Sequence, residues 1–97
     1  MKVHFLKLAE QELYDAQEYY EKEQKNLGST FKSVILSSLN HIIDFPEMYA
    51  KVKSDIRKCV IHKFPYNILY SIEDNHILII ALAHQHRKPN YWIDRVK

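Results

Sequence analysis

The stretch Ile56–Trp92, IRKCVIHKFPYNILYSIEDNHILIIALAHQHRKPNYW, decides the fold of this 97-residue chain. Residues 67–73 alternate apolar and polar side chains, as expected for a strand with one buried face. Residues 77–83 are apolar throughout, which is typical of a central strand buried on both faces. Asp74-Asn75 between them is a two-residue hairpin signal, because both residue types tolerate a positive φ. With a first strand over residues 56–63, the stretch predicts an antiparallel meander.

Two amphipathic helices are predicted before this stretch. An apolar stripe with alternating spacings of three and four residues predicts one helix over residues 9–24. A second stripe begins at Phe31 and predicts a helix that ends at Asp44 or Phe45, because Pro46 disfavours helical geometry in the residue before it. The two helices are expected to form an antiparallel hairpin.

The connection between the helices contains Gly28, the only glycine of the chain. A glycine at this place is expected to end the first helix in the left-handed conformation. Ser29 or Thr30 is then expected to cap the second helix. Residues 2–6 are predicted to form a short strand before the helices, and residues 47–55 are predicted to form a loop after them.

The predicted elements combine into a single α+β domain over residues 1–97. With a last helical turn expected over residues 90–96, the element order is β-α-α-β-β-β-α. The meander can bury one face under the helix hairpin, giving one sheet and one helical layer. The other face of the sheet is expected to stay partly open, with basic groups at its rim.

Charge is distributed unevenly along the chain. The first 49 residues carry five Lys/Arg and eight Asp/Glu, whereas residues 50–97 carry nine Lys/Arg and four Asp/Glu. This indicates either a basic face that meets an anionic partner or basic residues that simply line the strand edges. A single cysteine, Cys59, allows no internal disulfide, and no apolar run is long enough for a signal peptide or a membrane span. We therefore expect a cytoplasmic protein.

Several classes of chemistry have no support in the sequence. A single glycine excludes a phosphate-binding loop and a glycine-rich dinucleotide turn, and no Cys/His cluster has metal-ligand spacing. We therefore expect no cofactor and no metal site. Cys59 lies within a strand beside apolar residues and is expected to be a packed thiol rather than a nucleophile.

Histidine, arginine and aromatic residues crowd together near the end of the last predicted strand. This group comprises His84, His86, Arg87, Lys88, Tyr91 and Trp92, with Arg57, His62, Lys63 and Tyr66 on neighbouring strands. Histidine could move protons while arginine holds a phosphate, as in phosphodiester cleavage. The aromatic rings could stack on a base, or the whole group could be a plain binding surface. Alternatively, Tyr91 and Trp92 anchor the C-terminal turn to the sheet.

This chain resembles the RelE/ParE superfamily, the bacterial toxins of type II toxin–antitoxin modules, which are also known as plasmid stabilisation proteins. The resemblance covers the whole chain in length and element order. It is carried by Arg57, Phe64-Pro65-Tyr66, Ile68, Tyr70, the apolar run 77–83, His84-x-x-Arg87, Pro89 and Tyr91-Trp92. It implies a growth-inhibiting toxin that is neutralised by an antitoxin, whose disordered tail folds around it in a hetero-oligomer.

The superfamily has two functional branches. RelE-like members cleave mRNA on the ribosome, and ParE-like members poison DNA gyrase. The His84-x-x-Arg87 ending and the long helix hairpin are similar to the ParE branch. The ribonuclease branch tends to place an arginine after the aromatic residue of the Pro-Tyr position, where this chain has Asn67. Losing a preorganised phosphate-holding charge can cost a nuclease ~3–4 kcal/mol of barrier.

Three functions follow from the resemblance. The first is a toxin that binds a protein target, gyrase by resemblance, through Arg57, Lys63, Tyr66, Arg87, Lys88, Tyr91 and Trp92. The second is a metal-independent endoribonuclease acting on ribosome-bound mRNA, with His84, His86, Arg87 and Arg57 as acid–base and phosphate groups. The third is an inactive relic that only binds its antitoxin. In each case the antitoxin is expected to cover the apolar strand edge and the basic rim.

Overall fold

The computed structural model describes residues 1–96. Its helices are α1 (Lys7–Glu23), α2 (Leu27–Asp44) and a 3-10 turn at Ile93–Arg95. Its strands are β1 (Lys2–Phe5), β2 (Lys51–Lys53), β3 (Ile56–Ile61), β4 (Tyr66–Ile72) and β5 (His76–His84). The predicted α+β architecture and the order of its main elements are confirmed.

The five strands form one mixed sheet in the order β1-β5-β4-β3-β2. The predicted meander is present, since β3, β4 and β5 pair antiparallel in sequence order. The first strand adds to it in parallel, with Lys2 opposite His76 and Phe5 opposite Ile79. The central place of β5 explains its apolar sequence, because β4 covers one of its edges, β1 covers the first part of the other, and side chains cover both of its faces.

The strand β2 lies within the segment 47–55, which was wrongly predicted to be a loop. Its three residues are all exposed, so no burial pattern marks them as a strand. The strand exists because Lys51 pairs with Arg57 and Lys53 with Ile56. Tertiary pairing, which no local pattern reveals, therefore extends the sheet by one short edge strand.

The hairpin between β4 and β5 turns at Asp74-Asn75, as predicted. The amide of Glu73 donates to the carbonyl of His76 at 2.9 Å and closes the turn. Neither Asp74 nor Asn75 has a positive φ, however. The position of the turn was therefore predicted correctly, but the backbone conformation given as its reason was wrong. The hairpin register is held mainly by the strand pairing, which runs from Ile72–Ile77 to Tyr66–His84.

The helix hairpin turns at Asn26, which adopts the left-handed conformation with φ 71°. The roles predicted for Gly28, Ser29 and Thr30 at the helix ends were wrong, because α2 already begins at Leu27. Gly28 is instead needed for close packing: a Cβ there would lie 2.6 Å from the carbonyl oxygen of Gln17. The carboxylate of Glu21 accepts from the amides of Asn26 and Gly28 and caps α2 in place of a hydroxyl.

Apolar side chains cover both faces of the sheet. One face packs against the helix hairpin through residues that include Phe31, Ile35, Ile42 and Ile79. The other face was expected to be partly open, yet it is partly covered by the C-terminal segment, residues 89–96. There Trp92 packs in a cluster of buried residues with Ile56, Leu69, Ile80, Ala81 and Ala83. The C-terminal segment is thus a second, smaller layer, and its helical part is shorter than the predicted 90–96.

Candidate functional site

The candidate site lies at the carboxyl end of β5. His84 is the last residue of this strand and pairs with Tyr66, the first residue of β4. Its ring lies edge-on to the Tyr66 ring at 5.1 Å and 5.4 Å from the ring of His86. The side-chain amide of Gln85 donates to the carbonyls of Ile61 and Tyr66, and so holds this end of the sheet together.

The hydrogen bonding of His84 limits its chemistry. The backbone amide of His86 donates to Nδ1 of His84 at 3.1 Å. Because Nδ1 accepts a hydrogen bond, the neutral ring carries its proton on Nε2. His84 can therefore donate from Nε2, but its one basic nitrogen is already occupied by a main-chain donor. A role as general base would first require this contact to break.

Arg87 lies beside His84 in the turn that follows β5. Its guanidinium is 3.9 Å from the centroid of the Tyr91 ring, and its Nη1 is 3.9 Å from the carboxylate of Glu12. More than half of the Arg87 side chain is exposed, so the charge is accessible from solvent. The expected pairing of His84 and Arg87 in one place is therefore seen.

Glu12 of α1 is the hub of this region and was not identified from the sequence. Its carboxylate accepts from the hydroxyl of Tyr91, from both terminal nitrogens of Arg95 and from the amide of Leu82. The reason lies in the sheet: β1 ends at Phe5, so the following part of the edge of β5 has no strand beside it. Glu12 and Arg95 supply the missing partners, since Arg95 also donates to the carbonyl of Ile80 at 3.1 Å.

These contacts change the protonation of the groups around Glu12. Burial and the hydrogen bond to Glu12 raise the pKa of the Tyr91 hydroxyl, so Tyr91 remains a neutral donor. The hydrogen bond to Glu12 also raises the pKa of Arg95. The ion pair between Glu12 and Arg95 and the hydrogen bond from Tyr91 therefore hold the C-terminal segment against α1 and β5.

Tyr91 and Trp92 were considered as residues that stack on a base or contact a target. Trp92 is only 4% exposed and belongs to the apolar cluster under the C-terminal segment. Tyr91 is half-buried, with its hydroxyl bound to Glu12 and the guanidinium of Arg87 against its ring. Their positions correspond to the alternative in which both residues anchor the C-terminal turn. The expectation that the Trp92 ring contacts a target from an exposed position was wrong, because this ring is buried.

Arg57 does not join His84 and Arg87. It pairs with Tyr70, whereas His84 pairs with Tyr66, four positions earlier on β4. This separates them by about 13 Å along the sheet, at ~3.3 Å per residue.

The guanidinium of Arg57 is also engaged elsewhere. Its Nη1 donates to the carbonyls of Glu47 and Tyr49 at 3.1 and 2.7 Å. The expectation that Arg57 holds a phosphate in one site with the two histidines was wrong. Arg57 instead anchors the loop between α2 and β2.

The remaining candidates lie around the turn between β3 and β4. His62 and Lys63 are exposed in this turn. Tyr66 is partly buried, and its ring packs 5.3 Å from Phe31. Burial raises the pKa of the Tyr66 hydroxyl. Lys63 is therefore available to a partner, whereas Tyr66 offers only part of its ring.

A groove of about 190 Å³ lies between the C-terminal segment and the sheet. Lys58 lines it from β3, and Arg87 and Lys88 line it from the C-terminal side. None of the described residues that line it is acidic. Lys58 was not selected from the sequence, because nothing in the pattern of β3 distinguishes it from an ordinary exposed lysine. This groove brings together three of the basic residues from the second half of the chain.

Comparisons with known proteins agree on the family. A family model described as the ParE toxin of the type II toxin-antitoxin system, parDE, matches residues 3–89. The chain belongs to the ParE toxin family. Among solved structures, it is similar to a chain of the chromosomal ParDE TA system from P. aeruginosa, with a TM-score of 0.62 and 9% sequence identity. That match covers 87% of this chain and 95% of the other. No curated protein sequence matches.

As a ParE-like toxin of a type II system, the chain has a cognate antitoxin as its partner. One edge of its sheet, along β3, is open to such a partner. The last main-chain bond toward the β2 side is donated by Lys58 to the carbonyl of Ala50 at 3.1 Å. In an antiparallel strand every second residue bonds to the same neighbour, so the amide and carbonyl of Val60 point outward. Val60 is 41% exposed. The toxin therefore presents a short free strand edge beyond β2.

The described helices contain no segment with both the length and the apolar character that a membrane crossing requires.

Proposed function

We propose that this ParE-like toxin arrests growth in the cytoplasm by binding a protein target, DNA gyrase by family resemblance, and not by cutting RNA. The observation that carries this proposal is the position of Arg57. The nuclease alternative uses Arg57 together with Arg87 to hold the phosphate beside the proton-transfer groups. Here Arg57 donates to two loop carbonyls, about 13 Å along the sheet from His84.

Two further features support a binding toxin over a nuclease. The Nδ1 atom of His84 accepts from the His86 amide, so this ring is not a free base. Asn67 stands where the ribonuclease branch tends to have an arginine, and its side-chain oxygen accepts from Gln85 at 3.3 Å. His86 and Arg87 are exposed, but the cleft that His84 and Arg87 share with α1 brings them beside the carboxylates of Glu12 and Asp15, which would repel a phosphate.

The antitoxin would dock on the free edge of β3. The outward main-chain groups of Val60 can pair with an extended segment, as in other cases of strand addition. The groove beside this edge, between α2 and β3, exposes apolar and polar side chains that include Val34, Ser38 and Tyr49. The toxin has an unpaired strand edge, and the antitoxin segment folds when it binds there. We therefore expect the neutralised toxin to be a hetero-oligomer in which the antitoxin extends the sheet.

A supercoiling assay tests the choice of target. Purified toxin added to gyrase and relaxed plasmid should reduce the formation of supercoiled DNA in proportion to toxin concentration. Heat-denatured toxin serves as the control. Unchanged supercoiling at a large molar excess of folded toxin, with growth arrest in cells, would exclude gyrase as the target and leave the toxin function standing.

Primer extension on mRNA from cells that express the toxin tests the ribonuclease alternative. We expect no toxin-dependent cleavage positions. Discrete cuts that disappear in the His86→Ala variant would overturn the proposal in favour of a ribosome-dependent nuclease. Expression without growth arrest, with no cuts and normal supercoiling, would instead identify an inactive relic that only binds its antitoxin.

A further inference from the structure

We propose that the basic groove between Lys58 and Lys88 binds an acidic side chain of the antitoxin segment that docks on the edge of β3. The inference rests on the proposed docking of the antitoxin and adds the chemistry of one contact. It assigns the groove to a carboxylate, carried by an Asp or Glu residue, on an extended stretch of that partner.

The two lysine charges of the groove are not neutralised within the described part of the toxin, whereas Arg87 is paired with Glu12. Lys58 and Lys88 form no ion pair with any described carboxylate, and both side chains are exposed. The side-chain oxygen of Asn67 accepts from Gln85, so its amide nitrogen remains as a free donor at the groove. A carboxylate placed here would therefore meet two ammonium groups and an amide donor, which matches its hydrogen-bonding capacity.

The floor of the groove is apolar. Leu69, Ala83 and Trp92 line it, and their exposed fractions are 2%, 6% and 4%. The lower effective dielectric constant near these apolar side chains strengthens the electrostatic attraction between the lysines and a bound carboxylate. The methylene groups of a Glu side chain would contact the same floor. Both properties favour an amphipathic acidic side chain over a free inorganic anion.

The groove fits a protein partner better than a nucleic acid. Proteins that bind single strands stack bases on exposed aromatic rings, and such stacking supplies much of their affinity. Here Trp92 is buried, and one face of Tyr91 is covered by Arg87. The volume, about 190 Å³, suits one side chain. The groove therefore offers charge without a stacking platform.

The position of the free strand edge indicates how the side chain would arrive. Side chains of one strand alternate between the two faces of a sheet, so Val60 and Lys58 share the face on which the groove lies. A residue directly opposite Val60 on an added strand would project to that same face. Its side chain would then lie diagonally across from Lys58, at the entrance to the groove.

Nuclear magnetic resonance titration of the ¹⁵N-labelled toxin tests the inference. The probe is the peptide acetyl-Val-Glu-Val-Glu-Val-amide, and the matched control replaces both Glu residues with Gln. We expect the acidic peptide to shift the amide signals of Lys58, Val60, Ala83 and Lys88, and to bind about tenfold more tightly than the Gln peptide. Equal affinity of the two peptides, or shifts confined to other surfaces, would overturn the inference.

Variants of the toxin separate a built site from general attraction to a basic protein. Lys58→Gln and Lys88→Gln should each weaken binding of the acidic peptide about three- to tenfold. The control is Lys32→Gln, which removes the same charge from the exposed side of α2 and should leave affinity unchanged. A loss of affinity as large in the Lys32 variant would mean that net charge alone attracts the peptide and would overturn the inference.

Two further measurements show whether the groove prefers another ligand and whether the proposed function itself is wrong. A five-thymidine oligonucleotide that binds the groove residues more tightly than the acidic peptide would overturn the choice of a carboxylate in favour of a phosphodiester. Growth arrest by the unaltered toxin tests the proposed function separately. Growth arrest together with equal binding of the two peptides would overturn only the present inference, whereas acidic-peptide binding without growth arrest would count against the toxin function alone.

Discussion

Glu12 and Arg95 are 83 positions apart in the chain and form a bidentate ion pair, with N–O distances of 2.8 and 2.9 Å. Both side chains are largely buried, at 15% and 13% exposure. The pair joins α1 to the C-terminal segment across the edge of β5. It thereby fixes the position of the turn that carries Arg87, one of the candidate binding residues.

The Glu12→Gln substitution should destabilise the toxin by about 2–4 kcal/mol, because it leaves Arg95 partly buried without its counter-charge. Urea denaturation followed by circular dichroism measures the free energy of unfolding. Glu10→Gln on the exposed side of α1 is the matched control and should change this free energy by less than about 0.5 kcal/mol. Similar values for the two variants would contradict the role of Glu12 as a structural hub.

Substitution of Arg57 should act on stability. Arg57→Ala removes both hydrogen bonds to the loop carbonyls of Glu47 and Tyr49, and should cost about 1–3 kcal/mol of unfolding free energy. The exposed neighbour Lys58→Ala is the control and should be close to neutral. An Arg57 variant with unaltered stability but no activity would show that this side chain has a direct functional role.

Replacing Gly28 with alanine should force the two helices apart. The added methyl group would lie 2.6 Å from the carbonyl oxygen of Gln17 and 2.9 Å from Cβ of Glu21. We expect a net loss of about 1–2 kcal/mol, since overpacking outweighs the gain in helix propensity. Ser29→Ala, at an exposed neighbouring position, is the control for thermal denaturation. A Gly28→Ala variant more stable than the unaltered toxin would contradict the close approach of the helices.

The raised pKa of a buried tyrosine makes the stability of the toxin depend on pH in the alkaline range. Burial raises the pKa of Tyr70 to about 12, from a usual value of 10.0. A raised pKa means that the folded state keeps a proton that the unfolded state loses, so this contribution to stability is present below pH 10 and declines between about pH 10 and 12.

Urea denaturation between pH 9 and 11 measures this effect. The decline with pH should be smaller in the Tyr70→Phe variant, although that variant also loses the hydrogen bond from Tyr70 to the carbonyl of Pro46. Tyr14→Phe, at an exposed position, controls for the removal of a hydroxyl. An unchanged slope in the Tyr70 variant would contradict the raised pKa.

The sequence predicted those parts of the fold that local patterns encode. Alternation in β4, continuous apolar character in β5 and the stripes of both helices each reflect burial that a single element experiences. It did not predict β2 or the parallel pairing of β1, because both depend on contacts with strands that are distant in the chain. Gly28 was misread for a similar reason: its small size serves the neighbouring helix rather than its own turn.

The candidate site could be predicted only in part. The proximity of His84 and Arg87 follows from their spacing at the end of one strand. The separation of Arg57 from them does not, because it depends on the register between β3 and β4. Glu12 was not recognised because it is one of several acidic residues on α1, and only the unpaired edge of β5 makes it different from the others.

The parallel pairing of β1 with β5 has a consequence for synthesis of the toxin. Lys2, Val3, His4 and Phe5 find their partners only at residues 76–79. During translation β1 emerges first and must wait, unpaired, until the ribosome has released the first half of β5. The sheet therefore assembles late, and a nascent chain interrupted before this point would lack the shape on which any toxic action depends.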